Sequence, residues 1–171
     1  HVFHAIRENK VLTNLDLSYN NFAGRGCAVI AEALKENLQL RELSLRGNNM
    51  GDTGAKALEV CLNEGGQLIK LDVSDNGIGE KGGESLRDLL KRIQSLKQCD
   101  LSWNSVGGRG IYSVCDGLKS STLRRLNLAW NGIGDAGAGA VGDFLSDKEA
   151  VLQFLDISSN RIGTDGAGKL A

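Results

Sequence analysis

Apolar and polar positions alternate in short bursts, and the bursts return at a nearly constant interval. Leu12 to Asn20 reads LTNLDLSYN. The same frame, LxxLxLxxN, returns as LRELSLRGN from Leu40, LIKLDVSDN from Leu68, LKQCDLSWN from Leu96, LRRLNLAWN from Leu123 and LQFLDISSN from Leu152. Positions 4 and 6 of the frame are apolar and positions 3, 5 and 7 mostly polar. That period of two predicts a short strand with one face buried.

The frame closes on Asn20, Asn48, Asn76, Asn104, Asn131 and Asn160, at steps of 28, 28, 28, 27 and 29 residues. Two residues past each asparagine stands an apolar residue, and six past it stands a glycine: Gly26, Gly54, Gly82, Gly110, Gly137 and Gly166. Apolar residues then follow at helical spacing, as in Ile30 and Leu34, or Leu86 and Leu90. Each unit therefore predicts strand, turn, helix. One strand and one helix cannot bury their apolar faces alone, whereas stacked copies can. Parallel strands sit about 4.8 Å apart and helices about 10 Å. The stack is therefore expected to curve, with strands on the concave face and helices on the convex one. An asparagine in an otherwise apolar frame is expected to point inward, where its amide serves backbone groups that have left the sheet.

This frame resembles the leucine-rich repeat family, in its ribonuclease-inhibitor type with a helix in every repeat. The resemblance implies an α/β solenoid, a curved horseshoe segment, as a single domain over residues 1–171. Departures are small: Cys99 replaces the second frame leucine of its repeat, and Val73 and Ile157 replace the third in theirs. The wording LDLSxN also resembles repeats of Ran GTPase activators, nucleotide-binding immune receptors and ciliary proteins, and does not separate them. The segment HVFHAIREN matches the end of a repeat helix, with Ile6 aligned to Leu34 and Asn9 to Asn37, and GTDGAGKLA stops inside another helix. Both ends are thus expected to be truncated or covered by something else.

Function in such a frame belongs to the side chains it leaves free. Position 3 carries Asn14, Glu42, Lys70, Gln98, Arg125 and Phe154; position 8 carries Tyr19, Gly47, Asp75, Trp103, Trp130 and Ser159. A variable surface over a constant core suits partner binding. The candidate contacts are Tyr19, Arg46, Lys70, Asp75, Trp103, Arg125, Trp130 and Phe154. Trp103 and Trp130 fall on adjacent strands, near enough to touch. They are either a contact patch or packing laid over the next turn. Position 5 carries Asp16, Asp72, Asp100 and Asp156. These are expected to accept hydrogen bonds from neighbouring serines and backbone; the sharper alternative is an acidic stripe for a basic partner.

Composition narrows the function further. The chain has 171 residues, net charge −1, and 23 glycines but no proline. No bulk positive charge is available to hold nucleic acid or an anionic membrane, and no apolar run reaches membrane-span length. No small-molecule substrate is expected. The cysteines, Cys27, Cys61, Cys99 and Cys115, have no CxxC spacing and only His1 and His4 for company. No metal site is expected; buried free thiols and a reducing compartment are, so the location is read as cytoplasmic, with nucleus or cilium as alternatives.

Two apparent nucleotide motifs dissolve into the repeat. GAGAVG, with Gly137, Gly139 and Gly142, begins at the repeat's own glycine slot rather than at the strand–helix turn that a dinucleotide fingerprint requires. GTDGAGK, Gly163 to Lys169, is followed by Leu170 where a phosphate loop needs Ser or Thr. With no cofactor and no catalytic set, the expected function is a non-enzymatic module binding a protein partner on the concave face. The alternatives are a regulator of small-GTPase turnover and a structural part of a larger assembly such as an axoneme.

Overall fold

The computed structural model describes residues 2–62 and 66–171, with side chains from His4 onward; His1 lies outside the described residues. The order is α1 (Val2–Glu8), β1 (Asn14–Asp16), α2 (Ala23–Leu34), β2 (Glu42–Ser44), α3 (Gly51–Cys61), β3 (Lys70–Asp72) and α4 (Glu80–Arg92). It continues with β4 (Gln98–Asp100), α5 (Arg109–Lys119), β5 (Arg125–Asn127), α6 (Gly134–Leu145), β6 (Phe154–Asp156) and α7 (Thr164–Leu170). The strands form one six-stranded parallel sheet in sequence order. Frame positions pair with their equivalents throughout: Leu43 with Leu71, Leu71 with Cys99, Cys99 with Leu126. Among the described residues, backbone contacts between elements run from strand to next strand and from helix to next helix. This is the solenoid that the periodicity predicts.

The core is the sum of the frame slots. Leu43, Leu45, Leu71, Val73, Leu101, Leu126 and Leu128 point from the strands into it, and Ile30, Leu58, Leu86, Val114 and Val141 meet them from the helices. The strands are three residues long, yet the ladder of backbone bonds runs on: Leu45 N donates to Asp72 O and Gly47 N to Ser74 O. The sheet thus stays hydrogen-bonded to position 8 of the frame.

The asparagines run through the core as a ladder. Asn76 Nδ2 donates to Leu45 O and Ser74 O, both at 2.9 Å. Its Oδ1 accepts from Asn48 N at 3.1 Å and Met50 N at 3.2 Å. Asn48, Asn104 and Asn160 make the same connections to their own neighbours, and Asn131 makes the amide bonds while its oxygen accepts Val106 N. These buried amides satisfy backbone groups of two coils at once, as the inward orientation predicted.

The glycine slot has a packing cause. It lies inside the first turns of each helix, where the apolar residue four positions earlier presses on it. A Cβ at Gly137 would stand 2.5 Å from Ile133 Cγ2 and 2.9 Å from Ile111 Cγ2. Further along, Gly83 lets two helices touch by backbone: a Cβ there would be 2.7 Å from Gly110 Cα. α4 and α5 are held together at that contact.

Two residues that periodicity did not single out join repeats from the outside. Asp52, in the first turn of α3, accepts from Gly79 N at 2.7 Å and Gly82 N at 2.9 Å, capping α4 from the preceding repeat. Asp135 does the same for Gly163 N at 2.6 Å. Their shared wording, GDTGA and GDAGA, was a readable signal.

Candidate functional site

The open face of the sheet is built from positions 3, 5 and 8; position 7 is covered in the middle of the sheet, where Ser74, Ser102 and Ala129 are buried. Each polar row has a distinct local chemistry. At position 5, Asp72 Oδ1 accepts from Ser74 N at 2.9 Å and Ser74 Oγ at 2.6 Å; Asp100 Oδ1 does so from Ser102 at 2.9 and 2.6 Å. Asp16 takes the same pair from Ser18, and those bonds hold its carboxyl below the ordinary range. Asn127 Nδ2 reaches Asp100 Oδ2 at 3.1 Å. The aspartates are thus turn-forming acceptors, as expected.

Position 8 is left-handed in every repeat: Tyr19, Asp75, Trp103, Trp130 and Ser159 have φ of 56°, 55°, 56°, 59° and 55°, and Gly47 has 66°. Only glycine enters that region without cost. The conformation swings the side chain clear of the core and over the next repeat. Tyr19 accordingly lies across Gly47, where any side chain would collide with its ring. Trp103 lies across Trp130, the rings stacked at 4.4 Å and 11°. Trp103 is 51% exposed and Trp130 50%.

The predicted contacts fall into three groups. Tyr19 and Arg46 meet, the guanidinium carbon 5.7 Å from the ring centroid. Arg125 sits over Phe154 at 4.2 Å, and both join Lys70 in lining a shallow hollow on strands β3 to β6. Trp103 and Trp130 form the third group, and Trp130 also borders a depression at the loop edge with Gly108, Gly132 and Arg161. Asp75 belongs to none of the ring pairs; it holds the slot beside Trp103 on the preceding repeat. Trp103 thus does pack over its neighbour in the next repeat, and both tryptophans remain about half exposed.

The thiols are apart from this face. Cys27, Cys61, Cys99 and Cys115 are free and buried. Burial pushes Cys27 up to about 11 and Cys115 up to about 12, and raises Cys99 further. Gly137, Gly139 and Gly142 lie within α6, so that motif starts inside a helix; Gly163 does stand at the N-terminus of α7, but Leu170 occupies the place where a phosphate loop needs Ser or Thr. Among the described residues no three His, Cys, Asp or Glu converge as a metal would need, and no helix is long and apolar enough to cross a membrane.

The family model described as "Leucine Rich repeat" matches residues 8–31, 36–58, 68–86, 119–142 and 150–171. No curated protein sequence matches the chain. Among solved structures, the domain titled "Leiomodin-1 Actin-Binding Site 2" is similar with a TM-score of 0.69 at 18% identity, covering 84% of this chain and 85% of that one. A tropomodulin C-terminal domain from Caenorhabditis elegans is similar with a TM-score of 0.61 at 12% identity, covering 85% of this chain and 87% of that one. At these identities the likeness is one of fold.

Proposed function

The chain belongs to the leucine-rich repeat family, and from that premise we propose that it is a non-enzymatic module that binds a protein partner on the concave strand face. The observation that carries this is the half-open Trp103–Trp130 stack on a surface whose slots vary while the core beneath repeats. Large aromatics and arginines are the residues on which interface energy concentrates, and Tyr19, Arg46, Arg125 and Phe154 extend the row. The leiomodin-1 domain of the same fold is titled an actin-binding site, which makes actin a sensible first partner to test. Four buried free thiols suit a reducing compartment, in keeping with a cytoplasmic, nuclear or ciliary location.

The test compares wild type with Trp103→Ala/Trp130→Ala, both verified as folded, in actin co-sedimentation and in recovery of partners from extract. Loss of a specific partner in the double variant is the expected result. Equal recovery by both proteins would remove the tryptophans from the interface. Acceleration of GTP hydrolysis by any small GTPase in a panel would replace the pure binding reading with the regulator.

A further inference from the structure

We infer that the Trp103–Trp130 stack receives a basic segment of the partner, with an arginine or lysine cation on the outer face of Trp103 beside Asp75; this rests on the strand face being the docking face. Three observations carry it.

The first is a division of charge along the strands. In repeats three to six, position 3 of the open face carries the cations Lys70 and Arg125, with Lys97 and Arg124 one position earlier at its edge. Positions 5, 7 and 8 carry Asp72, Asp75, Asp100 and Asp156 and no cation. Trp103 and Trp130 stand on the acidic half, and Trp130 also borders Glu80 and Arg161 at the loop edge.

The second is that this charge is not spent internally. Among the described residues, the four ion pairs all lie on the helical side: Lys35–Glu32, Lys56–Glu59, Arg87–Asp88 and Lys91–Asp116. Asp72 commits Oδ1 to Ser74, while its Oδ2 and the Asp75 carboxylate accept no hydrogen bond from a described residue. Anions on an open face, next to an apolar ring, complement a cation better than they complement a phosphate or a carboxylate.

The third is the use the same face makes of its other aromatics. Tyr19 has Arg46 over its ring and Phe154 has Arg125. The tryptophans, whose ring faces attract cations most strongly, have no such partner among the described residues. One face of Trp103 is closed by Trp130. On the preceding repeat, Asp75 occupies the slot equivalent to that of Trp103, with the same left-handed backbone. A cation between the two would meet a π-face and a carboxylate together.

Trp103 and Trp130 are the chain's two tryptophans, so fluorescence excited selectively in tryptophan, beyond the absorption of Tyr19 and Tyr112, reports on this site alone. The probes are capped peptides alternating glycine with arginine, lysine, glutamate or serine. A saturable emission change with the arginine and lysine peptides, weakened by salt and absent with the glutamate and serine peptides, is the expected result. Asp72→Asn/Asp75→Asn should weaken it about two- to fivefold, the scale of exposed charge contacts. Asn already stands in the Asp72 slot at Asn127, where its Oδ1 accepts Ala129 N, so the variant keeps the turn. Asp143→Asn, on the exposed side of α6, should change nothing. Undiminished affinity in the double variant overturns the inference. A response to the glutamate or serine peptide alone overturns the basic chemistry and leaves the strand face as a docking face. Silence toward every peptide overturns the inference, and the proposed function then stands or falls on its own recovery experiment.

Discussion

The side-chain oxygen of Asn76 accepts the backbone N–H of Asn48, 28 residues earlier, at 3.1 Å. Its amide nitrogen donates to Leu45 O at 2.9 Å. One side chain thus bonds both edges of the preceding turn inside the core. Leucine has the size to replace it but neither bonding group. Asn76→Leu is expected to lower stability by about 1–3 kcal/mol through unsatisfied buried groups. Urea denaturation measures this, and an unchanged midpoint would remove the ladder's structural role.

The left-handed slot makes a different forecast for Trp103. Its φ of 56° costs a side chain that glycine would not incur. A fully buried Trp lost to a small residue costs about 3–5 kcal/mol, and a ring 51% exposed returns roughly half of that. Relief of about 1 kcal/mol of backbone strain offsets part of the loss. Trp103→Gly should therefore shift stability by no more than about 1.5 kcal/mol, with the melting transition still cooperative. A loss above about 3 kcal/mol would mark the pair as packing first and contact second.

Asp52 caps a helix that belongs to the next repeat. Asp52→Ala should cost about 1 kcal/mol, as caps do, and hydrogen exchange should quicken at the first turn of α4 rather than of α3. Protection lost in α3 instead would place the aspartate's effect in its own helix.

The buried thiols predict an alkaline limit. Cys27 ionises at about 11 in the fold against an ordinary 9.0, because burial disfavours its thiolate. Its raised value means that the fold holds the proton more tightly than the unfolded chain does. That contribution is fully present below pH 9.0 and is lost as pH rises towards about 11. Melting temperature should fall across that interval and fall less in Cys27→Ala, compared with its own value at neutral pH. At pH 8 the native thiols should resist alkylation that the denatured chain accepts.

The spacing of Leu12, Leu40, Leu68, Leu96, Leu123 and Leu152 made the fold legible because every repeat solves the same burial problem. Asn76 was legible for the same reason: a polar residue in an apolar slot has to bond something. The left-handed slot was not read, although Gly47 stands in it, since Tyr19, Asp75 and Trp103 there disguise a shared backbone as chemical variety. The pairing of Arg46 with Tyr19 and of Arg125 with Phe154 also escaped periodicity. Those contacts depend on where long side chains lean between repeats, which frame positions do not specify.

Contacts that run from each described strand and helix to the next of its kind have a hereditary consequence. Removal of residues 49–76 would join Asn48 to Gly77, and Asn104 would then offer Asn48 the oxygen that Asn76 now supplies. Whole units are the natural currency of change in such a chain: a gene could lose or double one and leave each surviving seam with a familiar neighbour, while the order of ring, cation and carboxylate along the open face is rewritten at a stroke.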